Sequence, residues 1–350
     1  MDLRRSTPRR ASSAGVHRPS CLLFLAFLTI ITCKARAQSP PDAPPAYTLH
    51  VYTDLIELPT LVLGRNDHPV RSLNPKNINI RLDGGSPFHP SGIRLEGDDP
   101  ILLAILIDTQ GKPSPLLTAF QNGFPAWITS SFQPQDRISL YAMNCALFRT
   151  AYDQPPNAAL LETALNSVIG SAQFDGKKGD VACQNQSGLR DYLDLIIKRS
   201  YPMPGRRVVL ILSDGMDDKS LLVWTDLISD AALYSVTTFG INVPDAQLFP
   251  WGGSFNDLSQ RSGGLNMTTT PERVSHTLAQ FIDFLRQRYI LQFPMPAPID
   301  NNVHQALVTI DRSTKLIRPS QITVPITHPS TQAGPVNVPV EDRPANPNQP

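Results

Sequence analysis

The chain has 350 residues, of which 41% are hydrophobic and 17% are charged, and its formal net charge is +1. This length and apolar content allow about two domains with buried cores, and they exclude a chain that is disordered throughout. The 34 prolines follow no glycine period and concentrate in residues 38–45 and 319–350, which excludes a collagen-like chain and indicates linkers.

The first 37 residues have the pattern of a secretory signal peptide. Five arginines precede an apolar run from Cys21 to Ile31, and Ala35 and Ala37 supply the small residues that a signal peptidase reads. This run is about half as long as the ~20 apolar residues that span a bilayer, which disfavours a membrane anchor. We therefore predict an exported chain, periplasmic, cell-surface or extracellular, with no membrane span after cleavage.

Removal of residues 1–37 would take away seven Lys/Arg and one Asp, so the formal net charge would change from +1 to −5. A mildly acidic chain without a basic stripe lacks the attraction that supplies most nucleic-acid affinity, and we exclude nucleic acid as a partner. Cys145 and Cys183 would be the two remaining cysteines, an even number in a compartment where disulfides persist.

A proline-rich linker over residues 38–46 leads into a predicted β unit over residues 47–96. Residues 47–63 are rich in Tyr, Thr, Leu, Val and Ile, which is typical of a strand. Residues 77–82 alternate polar and apolar side chains before an Asp-Gly-Gly turn, which predicts a second, half-buried strand. We expect these strands to form a small antiparallel unit.

The pattern then changes to alternating strands and helices over residues 97–289. Ile101 to Ile107 is a continuous apolar run before Asp108, as in strands that are buried on both faces of a parallel sheet. The elements predicted next are a helix at 115–132, a strand at 136–145, helices at 158–169 and 189–198, a strand at 207–212, a helix at 221–233, a strand at 235–243 and a helix at 271–288. This alternation predicts an α/β domain with a doubly wound, Rossmann-like, mostly parallel sheet.

Strand character returns after the last predicted helix, in three segments over residues 290–326. We therefore expect β segments to flank the α/β domain at both its N-terminal and C-terminal ends. Residues 327–350 are proline-rich and poor in large apolar side chains, which predicts a disordered tail.

Three short motifs lie within the predicted α/β domain. An apolar strand ends in Asp108-Thr109-Gln110-Gly111-Lys112, a later strand ends in Ser213-Asp214-Gly215, and residues 257–264 (DLSQRSGG) precede the final helix. Together they resemble the motifs of a von Willebrand factor type A domain of the exported bacterial type. The resemblance covers about residues 47–325. It implies a von Willebrand factor A-like fold whose functional loops lie at the carboxyl edge of the parallel sheet.

The resemblance also implies a metal-ion-dependent adhesion site. In this family an Asp-x-Ser-x-Ser loop, a Thr and a further Asp hold Mg²⁺ or Mn²⁺, and a carboxylate of the partner completes the coordination. Asp108 and Asp214 match the two aspartates, and Ser187 lies where the family has Thr. Gln110 and Lys112 replace the two loop serines, and the Lys112 ammonium could take the place of the ion. We expect a degenerate site and leave binding of Mg²⁺ or Mn²⁺ open.

Two further features are predicted near this edge. Cys145 ends the strand beside that of Asp108, and Cys183 lies four residues before Ser187, so we predict a disulfide between the two cysteines. Trp251 lies in a predicted long loop, and tryptophan is enriched at interface hot spots, so we predict a contact with the partner.

These patterns favour a secreted, non-enzymatic protein-binding or adhesion module with a protein partner. One alternative is an exported hydrolase that uses Asp108, Asp214 and a bound metal to activate water, but the sequence supplies no general base or third carboxylate for it. The other alternative is a structural envelope component. Asp217, Asp218 and Asp226 are interpreted as a solvated face and as acidic residues at a helix start.

Overall fold

The structure is a computed structural model that describes residues 55–64, 68–110, 114–177, 188–200, 203, 205–217, 219–242, 250–294, 303–310, 315–317 and 321–323. The chain divides into two units, residues 1–51 and 52–350, and every described residue belongs to the second. The predicted signal peptide, linker and C-terminal tail lie outside the described residues. Among the described helices, none is both long and apolar enough to cross a membrane.

The described strands are β1 (Leu55–Leu63), β2 (Ile78–Leu82), β3 (Gly92–Leu95), β4 (Ile101–Asp108), β5 (Arg137–Met143), β6 (Leu147–Gln154), β7 (Arg206–Leu212), β8 (Val236–Asn242), β9 (Asn266–Thr268), β10 (Tyr289–Pro294), β11 (Val303–Ile310), β12 (Lys315–Ile317) and β13 (Gln321–Thr323). The described α-helices are α1 (Pro115–Ser131), α2 (Ala158–Lys177), α3 (Leu189–Ser200), α4 (Trp224–Leu233), α5 (Pro250–Arg261) and α6 (Val274–Arg286).

A six-stranded sheet in the order β6-β5-β4-β7-β8-β9 forms the centre of the α/β domain. Its strands are parallel except for β6, which pairs antiparallel with β5. Counted from β4 within the sheet, this is the order 3-2-1-4-5-6 of doubly wound folds. The winding reverses between β4 and β7, which is where such sheets open a crevice for ligands. The predicted doubly wound, mostly parallel sheet is therefore confirmed.

Burial on both faces explains the unbroken apolar run of β4. Leu103, Ile105 and Ile107 belong to the core that α1, α2 and α6 cover, whereas Ala104 and Leu106 belong to the core under α3, α4 and α5. Successive side chains of a strand point to opposite faces, so every position of β4 must be apolar when helices cover both.

The strands outside the α/β domain form two smaller antiparallel sheets. One has the order β12-β1-β10-β3 and the other has the order β13-β11-β2. Strands that precede the α/β domain therefore alternate with strands that follow it, since β10 lies between β1 and β3 and β11 pairs with β2. These segments flank the α/β domain along the chain, and the structure joins them around one shared apolar core.

A buried ion pair joins this β unit to the parallel sheet. The Arg288 guanidinium donates to both carboxylate oxygens of Glu96, from Nε at 2.6 Å and from Nη2 at 3.0 Å. Its Nη1 donates to Thr237 Oγ1 of β8 at 3.1 Å, and both charged side chains are almost fully buried. The ends of β3 and β10 are thus held against β8 by a paired and hydrogen-bonded charge.

Several local features differ from the sequence-based expectations. Strands β3, β6 and β9 and helix α5 were not predicted, and α2 continues to Lys177, beyond its predicted end at residue 169. Helix α5 contains Gly252 and Gly253, which have low helix propensity and obscure the helical pattern. Tertiary contacts thus override the local preference of these segments.

Candidate functional site

The first loop at the carboxyl edge begins at Asp108, the last residue of β4, directly at the point where the winding of the sheet reverses. Its Oδ1 accepts a hydrogen bond from the backbone N–H of Gln110 at 3.0 Å. Its Oδ2 accepts a hydrogen bond from the Ser213 hydroxyl at 2.9 Å. The carboxylate therefore joins the loop after β4 to the loop after β7.

Burial raises the pKa of Asp108 to about 6. The hydrogen bonds from Gln110 and Ser213 act in the opposite direction, because they stabilise the charged carboxylate, and the negative charges of Asp214 and Asp217 raise the pKa further. The loss of hydration dominates, so Asp108 is a carboxyl group whose ionised form is disfavoured by the protein around it.

The loop after β7 turns sharply at Ser213, Asp214 and Gly215. The Gly215 N–H donates to Ser213 Oγ at 3.0 Å, and Asp214 Oδ1 accepts from the Met216 N–H at 2.9 Å. Gly215 has φ +81°, and a Cβ at this position would lie 3.1 Å from Phe255. Glycine is thus required both by the left-handed backbone and by the close approach of α5.

Asp217 holds this loop to the start of α3 and is not a solvated residue, which corrects the interpretation made from the sequence. Its side chain is 1% exposed, and its Oδ2 accepts from the backbone N–H of Arg190 at 2.7 Å and from Arg190 Nε at 2.9 Å. Ser220 donates to the same carboxylate from its hydroxyl at 2.8 Å and from its N–H at 3.1 Å. Asp218 lies outside the described residues, whereas Asp226 is exposed in the first turn of α4, as interpreted.

Asp191 forms the reciprocal contact from α3 to the same loop. Its two carboxylate oxygens accept from the backbone N–H groups of Leu221 and Leu222, each at 3.0 Å. Asp191 thus satisfies two backbone amides of the segment that precedes α4, and α4 begins at Trp224 instead of at the predicted residue 221. The side chain of Leu221 is left 94% exposed on a segment whose backbone is fixed.

Trp224 is half-buried and packs against the core under α4 and α5. Its ring lies 6.3 Å from the ring of Phe255, and the guanidinium of Arg190 lies 5.6 Å from the Trp224 ring centroid. Arg190 thus contacts both the Asp217 carboxylate and an aromatic face, which fixes its planar side chain.

The motif at residues 257–264 has a structural role in the turn between α5 and β9. Ser262 Oγ donates to the Ser259 carbonyl at 3.0 Å and lies 2.8 Å from Thr238 Oγ1. A Cβ at Gly264 would lie 1.9 Å from the Thr238 carbonyl oxygen, which only glycine allows. This segment packs α5 and β9 against β8 and contributes no ligand to the edge.

The remaining predicted site residues have mixed outcomes. Lys112, Ser187 and Cys183 lie outside the described residues, so their predicted roles and the disulfide stay predictions. Gln110 donates from Nε2 to the Asn144 carbonyl at 3.3 Å. Cys145 was predicted to be the last residue of its strand. In the structure β5 ends at Met143, and Cys145 lies half-buried in the turn between β5 and β6. Residue 251 lies in the first turn of α5 and not in a loop, while its contact with a partner stays a prediction.

The oxygen atoms of the described site residues do not by themselves form a suitable ligand set for a hard divalent cation. Mg²⁺ requires oxygen ligands in near-octahedral geometry. Both oxygens of Asp108 and one oxygen of Asp214 already accept hydrogen bonds from the protein, and Ser213 directs its hydroxyl proton at Asp108. Among the described residues, no group of three or more His, Cys, Asp or Glu side chains is arranged to hold a metal.

No family model matches the chain. No curated protein matches it either. Solved structures do show similarity to about half of the chain. The N-terminal domain of TFIIH p34 has 16% identity and a TM-score of 0.40, and the match covers 52% of this chain and 97% of that chain.

Two further similar structures come from a mussel and a bacterium. Proximal thread matrix protein 1 from the mussel byssus has 11% identity and a TM-score of 0.43, over 58% of this chain and 49% of that chain, and one of its structures has a zinc-occupied MIDAS motif. The vWF domain of the type V pili tip protein Mfa5 from Porphyromonas gingivalis has 8% identity and a TM-score of 0.39, over 53% of this chain and 94% of that chain.

The strand order and the two acidic loops at the reversal point agree with what the resemblance to von Willebrand factor type A domains implies. The α/β domain has the doubly wound fold expected from that resemblance. A fold does not fix a function.

Proposed function

We propose that the chain is a secreted, non-enzymatic protein-binding module with a degenerate metal-ion-dependent adhesion site. Its partner surface is formed by residues 108–110, 213–217 and 219–223 at the carboxyl edge of the parallel sheet, which we call the edge loops. The observation that carries this proposal is the use of the acidic side chains as hydrogen-bond acceptors for the backbone of the loops themselves.

This use of the acids favours binding over catalysis. Asp217 and Asp191 accept hydrogen bonds from Arg190, Ser220, Leu221 and Leu222 and so fix the loop after β7. A hydrolase would instead need a carboxylate or a histidine directed at a substrate or a bound water. A loop with a fixed backbone loses little conformational entropy on binding, which suits recognition of a protein partner.

Leu221 supplies the apolar part of the proposed surface. Its side chain is 94% exposed, and its neighbour Val223 is 51% exposed. Full burial of an exposed leucine contributes about 2 kcal/mol, which a protein partner with a matching pocket would gain. Arg190 and Trp224, residue types enriched at interface hot spots, lie next to this segment.

Crosslinking and pull-down with the full chain would test this proposal. We expect Leu221→Ser to lose most of the protein recovered by the wild type from an envelope extract. Leu160→Ser is the matched control, because Leu160 is a 45% exposed leucine on α2. Equal recovery with Leu221→Ser and Leu160→Ser would contradict a partner surface at the edge loops.

A hydrolase screen separates the proposal from its enzymatic alternative. Metal-dependent turnover that Asp214→Ala abolishes would establish the exported hydrolase instead.

Secretion has its own readout, since the exported chain should begin at Gln38 by N-terminal sequencing. A chain recovered with residues 1–37 intact would contradict export by cleavage.

A further inference from the structure

A concave surface lies on the β unit, away from the edge loops. It is a pocket of about 290 Å³ between β3, at the free edge of its sheet, and the segment that precedes β2. Leu73, Ile93, Leu95 and Tyr289 contribute its apolar wall, and Arg71 is one of its polar residues. The volume is close to the lower limit of ~300 Å³ for ligand pockets, which suits one or two side chains.

The wall of this pocket is held in place before any ligand binds. The Tyr289 hydroxyl donates to the Val70 carbonyl at 2.8 Å, which joins β10 to the segment that borders the pocket. Tyr289 lies opposite Leu95 in the antiparallel register and is itself buried. Tyr289 is therefore a fixed part of the pocket wall.

The main chain of β3 leaves hydrogen-bonding groups at the sheet edge. The Glu96 N–H donates to the Arg288 carbonyl, so the next pair, Leu95 and Tyr289, is a non-hydrogen-bonded pair. The N–H and C=O groups of Ile93 consequently point away from β10. Among the described residues, no group is hydrogen-bonded to the main chain of Ile93 on this outer side.

The two arginines of the pocket differ in their partners. Arg94 donates to Asp99 at 2.5 Å and lies 3.4 Å from Glu57, so the chain itself neutralises its charge. Arg71 is exposed, and none of the described carboxylates or carbonyls pairs with it. An incoming carboxylate would therefore find one cation without a partner beside an apolar wall.

We propose that the edge of β3 binds an extended acidic segment of another protein by strand addition. The added strand would pair with the outer N–H and C=O groups of Ile93. On the face shared with Leu95 and Tyr289, one apolar side chain would enter the pocket and a Glu or Asp two residues away would reach Arg71. This site is distinct from the edge loops and does not depend on the function proposed for them.

Binding of a blocked hexapeptide to the full chain tests this site. The probe is acetyl-Thr-Val-Thr-Glu-Thr-Val-amide, which places Val, Glu and Val on one face of a strand. We expect saturable binding at submillimolar to millimolar concentration by isothermal titration calorimetry. Replacement of Glu by Gln in the peptide, or Arg71→Glu in the protein, should weaken binding about tenfold because a charge-assisted contact is lost.

Matched controls separate strand addition from simple charge attraction. Arg81→Glu makes the same charge change at an exposed position of β2, outside the pocket, and should leave affinity unchanged. N-methylation of one alternate set of peptide amides should abolish binding, while methylation of the other set should not. Equal affinities of Arg71→Glu and Arg81→Glu, equal effects of the two methylation patterns, or no saturable binding would each overturn the proposal.

Discussion

The Ser213 hydroxyl donates a 2.9 Å hydrogen bond to Asp108 Oδ2, and this contact connects the ends of the two strands between which the winding of the sheet reverses. Asp108 follows β4 and Ser213 follows β7, so the contact joins loops from neighbouring parallel strands. Among the described residues, this buried carboxylate is hydrogen-bonded to a neutral hydroxyl and a backbone amide, and none of the described cations forms an ion pair with it.

Replacement of the Asp108 carboxyl by a neutral amide should therefore stabilise the protein at neutral pH. The pKa of Asp108 is raised to about 6 by burial, whereas the unfolded chain has the ordinary value of 3.8. Between these values the folded state binds more protons than the unfolded state, so the free energy of unfolding falls as pH rises from about 4 to about 6. The difference between the two pKa values corresponds to at most about 3 kcal/mol in the free energy of unfolding.

Urea unfolding of wild type and Asp108→Asn at several pH values measures this effect. Asp108→Asn should be more stable than the wild type at pH 7. Its free energy of unfolding should not show the fall between pH 4 and 6 that is expected for the wild type. Asp226→Asn changes an exposed carboxylate of α4 and should behave as the wild type does in this range. A loss of stability in Asp108→Asn at pH 7 would mean that the anionic form is compensated by a group such as Lys112 or a cation.

Calorimetric titration with Mg²⁺ and with Mn²⁺ tests the degenerate metal site. Wild-type chain should release no binding heat at millimolar cation, because Gln110 and Lys112 stand where hydroxyl ligands are expected. The double variant Gln110→Ser, Lys112→Ser should create binding by restoring two oxygen ligands and removing an ammonium. Tight binding by the wild type would refute the prediction.

Patterns that arise from burial could be read from the sequence. The run Ile101 to Ile107 predicted a strand covered on both faces, and the polar groups after it predicted a site at the sheet edge. The strand is found, with Asp108 as its last residue, because a central parallel strand that is buried on both faces carries only apolar side chains along its length. A function for this edge of the sheet stays a proposal.

Contacts between distant residues could not be predicted in the same way. Arg190 and Asp217 are 27 positions apart, and each resembles an ordinary surface charge until α3 and the loop after β7 are brought together. The insertion of β10 between β1 and β3 similarly depends on pairing across the whole α/β domain. Local patterns carry no information on such pairings.

A disulfide between Cys145 and Cys183 remains a prediction with a direct chemical readout. This disulfide would stabilise the folded chain by about 3–4 kcal/mol, because closing the loop between the two cysteines lowers the entropy of the unfolded chain. Non-reducing peptide mapping of protein from its export compartment should recover one linked peptide that contains both cysteines. Free thiols at both positions would contradict the prediction and the idea that the segment around Ser187 is held near the carboxyl edge.

The pair of Asp217 and Arg190 should make a large contribution to stability and to the shape of the edge loops. Asp217→Ala removes a carboxylate whose side chain is 1% exposed and leaves the 15% exposed Arg190 without its partner. Loss of one member of a buried pair costs about 3 kcal/mol or more, because the remaining charge stays desolvated. Asp226→Ala, at an exposed helix start, should cost at most about 1 kcal/mol.

Urea unfolding gives the two free energies, and hydrogen exchange locates the change. The amides of Leu221 and Leu222 donate to Asp191, and they should exchange faster in Asp217→Ala because the loop that carries them is no longer held at Ser220. Arg190→Met combined with Asp217→Ala should recover part of the lost stability, since no uncompensated charge remains. If Asp217→Ala and Asp226→Ala destabilise the chain equally, the pair does not fix the loop, and the rigid surface proposed for partner binding would lose its main support.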